Sequence, residues 1–207
     1  MMKKLFAFIV ILNLMAFNIH AQDAQAILDQ ATTKIQSSKG INLSFSLTQK
    51  DKVGRVLSTA KGILKAKGTK YYIKESDNEI YCNGTQIWNY DGKSEVTVAK
   101  ADYDDDELSP QQIITGFNKK DFSASVLSSS STGYQVQLIP VDKRKNFKQV
   151  IVFINKPSNL ITKAVIIDKT GNINEVSFNN VSLTADIPDS QFVFNTSKHP
   201  GIEVVNQ

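Results

Sequence analysis

The stretch EIYCNGTQIWNYDGKSEVTV, residues Glu79–Val98, contains the strongest indication of the fold. Asn83-Gly84 and Asp91-Gly92 are dipeptides that tolerate the positive φ angles of tight hairpin loops. Six residues separate these two turns, and the only tryptophan of the chain, Trp88, lies between them. The stretch therefore predicts three short antiparallel strands with a large apolar surface and no catalytic group.

Similar turns precede this stretch at Gly68-Thr69 and Asp77-Asn78. If each dipeptide is a two-residue loop, the flanking residues pair and successive side chains alternate between faces. The expected pairs include Ala66–Tyr71, Leu64–Ile73, Ile73–Cys82, Ile80–Ile87 and Ile87–Val96. One face then collects Leu64, Ala66, Tyr71, Ile73, Ile80, Cys82, Ile87, Val96 and Val98. Trp88 is predicted to lie on the opposite, amphipathic face beside Glu79 and Glu95.

The segments around this meander alternate between helical and strand periodicity. An amphipathic helix is predicted by the spacing of Ala24, Ile27, Leu28, Ala31 and Ile35, with Gly40 placed to end it. A half-buried strand is predicted by the strict alternation of Ile41, Leu43, Phe45 and Leu47. Ser109-Pro110 is a good helix start and Gly116 a stop, so Ile113, Ile114 and Phe117 should belong to a short apolar helix. With the strands after Asp121, the pattern predicts one strongly curved antiparallel sheet or barrel, mainly β, with α-helices on its concave side.

The amino terminus has the layout of a secretory signal peptide. A basic MMKK is followed by a 13-residue apolar run, Leu5–Phe17, and by Ala21 before the expected cut. We therefore expect residues 1–21 to be a signal peptide and residues 22–207 to be a single domain. An uncleaved membrane anchor is the alternative. The charge of the full chain is only +4, without a long basic run, which argues against a nucleic-acid partner.

Reactive chemistry is sparse in the sequence. The two histidines are His20 and His199, so no nucleophile with a histidine base can be proposed, and the single Cys82 is predicted to be structural. We therefore expect no enzyme activity, no catalytic residue, no metal and no cofactor. The acidic run Asp102, Asp104, Asp105, Asp106 and Glu107 lacks the spacing of a calcium loop, which favours a solvated loop. The basic stretch Asp142–Lys148 is interpreted as an exposed turn, with contact to anionic head groups or a partner as the alternative.

Several motifs occur in an order that resembles the outer-membrane lipoprotein carrier family, the LolA-like proteins. They are FSLTQ (Phe45–Gln49), AKGILKAKG (Ala60–Gly68), the hairpin NGTQIWNYDGKSEVTV, LSPQQIITGF, and the closing FNNVSLTADIPDSQFVF and HPGIEVV. No single motif is stringent, and the resemblance rests on their order over nearly all of residues 22–207. It implies an incomplete β-barrel closed by helices around an apolar cavity for acyl chains.

The resemblance also implies a function, partners and site residues. It implies a monomeric periplasmic carrier that takes acylated lipoproteins from an inner-membrane lipoprotein-releasing ABC transporter to an outer-membrane acceptor. The implied cavity wall is Leu43, Phe45, Leu47, Leu64, Tyr71, Ile73, Ile80, Ile87, Val96 and Val98, and the implied lid residues are Ile113, Ile114 and Phe117. The family has a lid-latching arginine near the end of the GILKAKG strand, where this chain has Lys67-Gly68. Lys65 or Lys67 could substitute, but lysine lacks the planar fork of arginine. The alternative function is a LolA-like periplasmic lipid-binding or sensor protein that regulates a signalling partner.

Overall fold

A computed structural model of the chain describes residues 24–101, 108, 110–117 and 120–207. Helix α1 comprises residues 24–36 and helix α2 is Pro110–Thr115, while two short 3₁₀ helices are Asp189–Phe192 and Thr196–Lys198. The signal peptide expected at residues 1–21 and the acidic run within residues 102–107 lie outside the described residues.

Twelve strands lie within the described residues. They are β1 (Ile41–Lys50), β2 (Val56–Lys67), β3 (Lys70–Glu75), β4 (Asn78–Cys82), β5 (Gln86–Tyr90), β6 (Glu95–Lys100), β7 (Phe122–Ser129), β8 (Gly133–Pro140), β9 (Phe147–Asn155), β10 (Leu160–Asp168), β11 (Ile173–Ser182) and β12 (Glu203–Asn206). All of them belong to one sheet with the order β12-β6-β5-β4-β3-β2-β1-β11-β10-β9-β8-β7.

The sheet is a curled antiparallel ribbon that does not close. Among its described strands, only β12 runs parallel to its neighbour, β6. Strand β1 joins the meander β2–β6 to the meander β7–β11, because it pairs with β2 on one edge and β11 on the other. Within the described residues, the two outer strands β12 and β7 each have one partner, and both helices lie on the concave side. The predicted incomplete, strongly curved β-barrel with helices on its concave side is therefore confirmed.

Strand β1 shows why the concave face is apolar. Ile41, Leu43 and Phe45 are buried in the core, whereas the residues between them are not. Gly62 lies opposite Phe45 on β2, where a Cβ would come within 2.5 Å of the phenyl ring. The glycine of the GILKAKG motif thus gives space to an aromatic ring on the concave face.

Helix α1 has the predicted amphipathic stripe but a different end. Ala24, Leu28, Ala31 and Ile35 are buried in the same core as β1. The helix ends at residue 36, where Ser37 N–H still bonds Thr33 O at 2.9 Å. Gly40 was wrongly expected to end the helix, because it instead forms a bridge with Thr184 and leads directly into β1.

The first two hairpins after β2 keep the predicted faces. Gly68-Thr69 is the loop between β2 and β3, and Leu64 pairs with Ile73 as predicted. The next loop is Ser76-Asp77 rather than Asp77-Asn78, with Ser76 at a φ of 55°. This register places Ile73 opposite Ile80 and Lys74 opposite Glu79, which are better matched pairs than the predicted Ile73–Cys82 and Glu75–Ile80.

The third hairpin is shifted because an asparagine caps the turn. Asn83 Oδ1 accepts hydrogen bonds from the N–H groups of Thr85 and Gln86, at 2.9 and 2.8 Å. The two-residue loop is therefore Gly84-Thr85, and Ile87 pairs with Cys82 instead of Ile80. A shift of two residues keeps every side chain on its predicted face.

The fourth turn reverses three assignments. Asp91 Oδ1 accepts from the N–H groups of Lys93, Ser94 and Glu95, and Asp91 N–H donates to Glu95 O. The loop thus has three residues, 92–94, where two were predicted. An odd change in loop length turns the next strand over, so Val96 pairs with Tyr90 and Val98 with Trp88. The placement of Val96 and Val98 on the concave face was wrong, as was that of Glu95 beside Trp88. The placement of Trp88 on the opposite face is confirmed.

The carboxyl-terminal chain covers the outer face of the meander. After β11, residues 185–199 cross β2–β6 on the convex side, and we call them the outer strap. Ile187 and Phe192 of the strap are buried against Tyr72, and Phe194 lies 5.6 Å from Tyr81 between ring centroids. Strand β12 then adds to the edge of β6. One sheet therefore carries two apolar layers, one on each face.

Candidate functional site

The concave side holds the largest apolar cluster of the described residues. Strands β1–β3 contribute Leu43, Phe45, Leu64 and Ile73, each at most 6% exposed. Helix α1 contributes its apolar stripe, and α2 contributes Ile113 and Ile114, which are fully buried. These side chains are aliphatic or phenyl groups, so the contacts within this cluster are non-directional.

Helix α2 and the residue that follows it contact both the sheet and α1. Gly116 follows the helix at a φ of 105°, and a side chain on it would collide with Thr32 of α1. Phe117 then packs edge-on against Phe122 of β7, 5.4 Å between centroids. The predicted stop at Gly116 is confirmed, and this glycine allows α2 to approach α1 closely.

Two cavities lie on the concave side, and the first borders α2. One, of about 520 Å³, is lined by Ile35, Ala66, Gln111 and Gly116 among others. The second, of about 560 Å³, is lined by residues that include Leu47, Leu108, Phe147 and Val176. Their volumes fall in the range of roughly 300–1,000 Å³ that is typical of ligand pockets.

The cavities lie towards opposite ends of the barrel. Ile41, at the start of β1, lines the first, whereas Leu47 and Gln49 line the second. Six residues of a strand span about 20 Å. Gln111, Gln112, Thr115 and Gly116 line the first cavity, whereas Leu108 lines the second.

Most of the predicted wall residues share the concave face. These are Leu43, Phe45, Leu47, Leu64, Tyr71, Ile73, Ile80 and Ile87, related by the pairing of β1–β5. Ile87 is half-buried and lies outside the main cluster, and Cys82 beside it is buried. The structure does not bring Val96 and Val98 to this wall, for the reason given above.

The second meander also contributes to the concave side, which the sequence patterns did not predict. Val150, Val152 and Ile154 of β9 are buried there, together with Ile161 and Ile166 of β10. The alternation in NFKQVIVFIN was the available signal. It is blurred by a register shift near Phe147, where the pairing of β9 with β10 is irregular.

The outer face of the meander has a different chemistry. Glu79 accepts hydrogen bonds from Tyr72 Oη at 3.0 Å, from Lys74 Nζ at 2.6 Å and from the Tyr81 hydroxyl. Tyr81 and Tyr90 both contact Phe194 of the outer strap, which stacks on His199 at 4.7 Å. We call Tyr72, Lys74, Glu79 and Tyr81 the Glu79 network.

Hydrogen bonding changes the acidity of this network. Burial raises the pKa of Glu79, but the hydrogen bonds from Lys74, Tyr81 and Tyr72 outweigh it, so the pKa lies below its ordinary value of 4.5. Burial and the charge of Glu79 raise the pKa of Tyr72 from 10.0 to about 12. Burial and the hydrogen bond to Glu79 raise the pKa of Tyr81 further. At neutral pH the network is therefore one carboxylate held by two neutral phenols and one ammonium group.

The expected lysine substitutes for the latching arginine point away from α2. Lys65 Nζ donates to Gln191 Oε1 at 3.1 Å, and Lys67 Nζ donates to Ile187 O at 3.3 Å. Both acceptors belong to the outer strap. The two lysines alternate along β2 with Leu64 and Ala66, which are buried on the concave side, so these contacts do not support the possibility that either lysine replaces the latching arginine.

No cluster of three or more potential metal ligands occurs among the described residues. None of the helices in that part of the chain is long and apolar enough to cross a bilayer.

Comparison with known proteins gives consistent relatives. Residues 36–195 match the sequence model of the family described as outer membrane lipoprotein carrier protein LolA. The outer-membrane lipoprotein carrier protein of Idiomarina loihiensis is 24% identical over 184 residues, which cover 87% of this chain and 88% of the relative. That of Shewanella halifaxensis is 25% identical over 197 residues, covering 93% and 92%. In fold, an uncharacterized conserved protein from Thermus thermophilus is similar with a TM-score of 0.59 at 11% identity, over 89% of this chain and 99% of that one. The chain therefore belongs to the LolA family of outer membrane lipoprotein carrier proteins.

Proposed function

We propose that this chain is a periplasmic carrier that binds the acyl chains of lipoproteins on its concave side. The observation that carries the proposal is a two-turn helix, α2, whose Ile113 and Ile114 are fully buried in an apolar cluster beside a cavity of about 520 Å³. A second cavity, of about 560 Å³, lies towards the other end of the barrel. An acyl chain needs a long, non-polar and non-directional space, and displacement of α2 would extend the first cavity into the apolar cluster. The names of the curated relatives support the same cargo.

The energetics suit reversible loading. A helix as short as Pro110–Thr115 is not stable alone, so its position depends on the burial of Ile113, Ile114 and Phe117. Each such side chain contributes about 1.5–3 kcal/mol when fully buried. A lipid chain gains about 0.8 kcal/mol per buried CH₂. We infer that cargo replaces α2 in the groove, and that α2 returns when the cargo leaves.

The wall of the site follows from this exchange. We propose that the acyl chain contacts Leu43, Phe45, Leu64 and Ile73, which share the buried apolar cluster with Ile113 and Ile114 of α2, and that Leu47 extends the wall into the second cavity. Tyr71, Ile80 and Ile87 would line its margin on β3–β5. The lipoprotein-releasing transporter of the inner membrane and an acceptor at the outer membrane are the proposed partners at the two ends of the route.

Lipid analysis and a cavity-filling variant test the proposal. Mass spectrometry of protein purified from the native periplasm should find a bound diacyl or triacyl lipoprotein. Ala66→Phe should reduce uptake of a synthetic diacylated lipopeptide at least tenfold, because Ala66 lines the first cavity. Thr59→Phe, which adds the same ring on the exposed outer face of β2, should leave uptake unchanged. Absence of acyl lipid from the native protein, together with no uptake of the lipopeptide, would rule the carrier function out.

Export requires the amino-terminal segment to act as proposed. We propose that residues 1–21 are removed and that the mature chain, residues 22–207, is one domain. The intact mass of the exported protein should correspond to a start at Gln22, give or take two residues. A membrane-bound species of full-length mass would contradict this.

A further inference from the structure

Three loops meet at the end of the barrel where the second cavity opens. They are residues 51–57, 141–146 and 168–172, and we call them the cationic rim. Lys169 N–H donates to Asn146 O at 3.1 Å, and Lys169 Nζ donates to Arg144 O at 3.0 Å. A methyl group on Gly171 would lie 3.3 Å from Lys52 Cβ, so the hairpin β1–β2 touches this pair of loops. Asn146, Lys169 and Thr170 also line the second cavity.

The charges of the rim are unbalanced. Its cations are Lys52, Arg55, Lys143, Arg144, Lys145 and Lys169, and its acids are Asp51, Asp142 and Asp168. The net charge of the rim is therefore +3, most of the +4 carried by the whole chain. The basic stretch noted in the sequence is one part of it.

The three carboxylates are turned towards their own loops. Asp51 accepts from the N–H groups of Val53 and Arg55 at 3.0 and 2.9 Å. Asp142 accepts from Arg144 N–H at 2.9 Å and from its guanidinium at 2.8 Å. Asp168 accepts from Asn172 N–H at 2.8 Å. Arg55 Nε also donates to Asp51 Oδ2 at 2.6 Å, so two of the three acids are paired with arginines of their own loops. The four lysines of the rim therefore supply its net positive charge.

The rim also exposes aliphatic side chains that the fold does not use. Val53, Val56 and Leu57 are 69%, 60% and 64% exposed, and Val141 across the rim is 60% exposed. The first three lie on the end of the β1–β2 hairpin, which extends beyond β3 because β3 pairs only with Gly62–Lys67. Six residues of overhang reach about 20 Å.

We propose that the cationic rim docks on the surface of an anionic phospholipid bilayer, with the hairpin end entering the head-group region. Cations beside exposed aliphatic groups fit such a surface, because charge attraction and shallow apolar insertion add together. The purpose of this docking rests on the proposed function. The docked rim would place the mouth of the second cavity at the membrane that an acyl chain leaves or enters. Binding itself needs no cargo and can be tested without it.

Co-sedimentation with lipid vesicles tests the surface. The chain should bind vesicles of phosphatidylcholine with about 30% phosphatidylglycerol and should bind pure phosphatidylcholine at least tenfold more weakly. Lys52→Gln with Lys143→Gln should weaken binding about fivefold for each lysine, and Val56→Ser with Leu57→Ser about tenfold. As a control, Lys34→Gln with Lys39→Gln removes the same charge from α1 and the segment after it, and should leave vesicle binding unchanged. The exposed pair Val193→Ser with Val204→Ser should also leave vesicle binding unchanged.

A tryptophan at the hairpin end reports where the protein sits. In a Trp88→Phe background, Val53→Trp should shift its emission to shorter wavelength on addition of the anionic vesicles, and Val204→Trp should not. No binding to anionic vesicles, or equal shifts at both positions, would overturn the proposal. Vesicle binding without uptake of the lipopeptide would support the membrane-docking surface and contradict the carrier function. Uptake of the lipopeptide without vesicle binding would support the carrier function and contradict the docking surface.

Discussion

The two faces of the meander β2–β6 bury apolar surface in different ways. The concave face packs Leu64 and Ile73 against Ile113 of a two-turn helix, through contacts without direction. The outer face packs Tyr72 and Tyr81 under a strap, and directed hydrogen bonds to Glu79 accompany the burial. The difference indicates a division of labour. We propose that the outer layer fixes the sheet, which would allow the inner layer to exchange its contacts without unfolding of the protein.

The largest effect is expected in the outer strap. Phe192 is fully buried against the sheet. Phe192→Ala should lower the free energy of unfolding by about 3–5 kcal/mol, the usual cost of emptying a phenylalanine site in a core. Urea unfolding monitored by circular dichroism measures the loss. The neighbouring Val193→Ala, at a side chain that is 40% exposed, is the control and should change little. A loss below about 1 kcal/mol for Phe192→Ala would mean that the strap does not fix the sheet.

The second-largest effect is expected when the hydrogen bonds of the outer face are weakened. Glu79→Gln keeps the shape of the side chain but removes the negative charge that accepts hydrogen bonds from two phenols and from Lys74. We expect a loss of about 1–3 kcal/mol, because hydrogen bonds to a charged group are worth more than neutral ones. Glu95→Gln on the exposed start of β6 is the matched control. Equal stability of the two variants would remove the distinction between the faces.

The third effect concerns the inner layer and should be smaller. An isoleucine fixed in a core loses about 2–5 kcal/mol when truncated to alanine. If α2 detaches from the groove without unfolding of the sheet, the loss cannot exceed the free energy of that detachment. We therefore expect Ile114→Ala to cost no more than about 1.5 kcal/mol of global stability, although Ile114 is as buried as Phe192.

Two further readouts sharpen this prediction. The double variant Ile113→Ala with Ile114→Ala should increase the binding of an environment-sensitive apolar dye to the free protein. Amides of α2 should exchange with solvent faster than those of β3, since local opening exposes them. Equal protection of α2 and β3, with unchanged dye binding, would make α2 a permanent part of the core.

The sequence predicted the concave face better than the outer one, and the reason is physical. Period-two alternation identified β1, and the β2–β3 turn placed Leu64 opposite Ile73. Asp91 misled the register because its carboxylate caps a three-residue loop, and one extra residue reverses Val96 and Val98. The strap contacts of Lys65 and Lys67 join residues 126 and 120 positions apart, a pairing that no local pattern encodes.

The smallest expected effect is a pH dependence confined to the outer face. Burial and the charge of Glu79 raise the pKa of Tyr72 from 10.0 to about 12 in the folded chain. The neutral phenol is thus favoured by folding, so its stabilising contribution is complete below about pH 10 and is lost as the pH rises through about 12. Because solvent screens part of this interaction, we expect the loss to be about 1 kcal/mol.

Urea unfolding at about pH 9, 10.5 and 11.5 measures this loss of stability. Tyr72→Phe is the comparison, and it should lose less stability over the same pH interval. Tyr134→Phe, at a tyrosine of the other meander, should follow the wild type. If Tyr72→Phe also follows the wild type, the alkaline loss arises elsewhere, and the Glu79 network contributes to the outer face only through its shape.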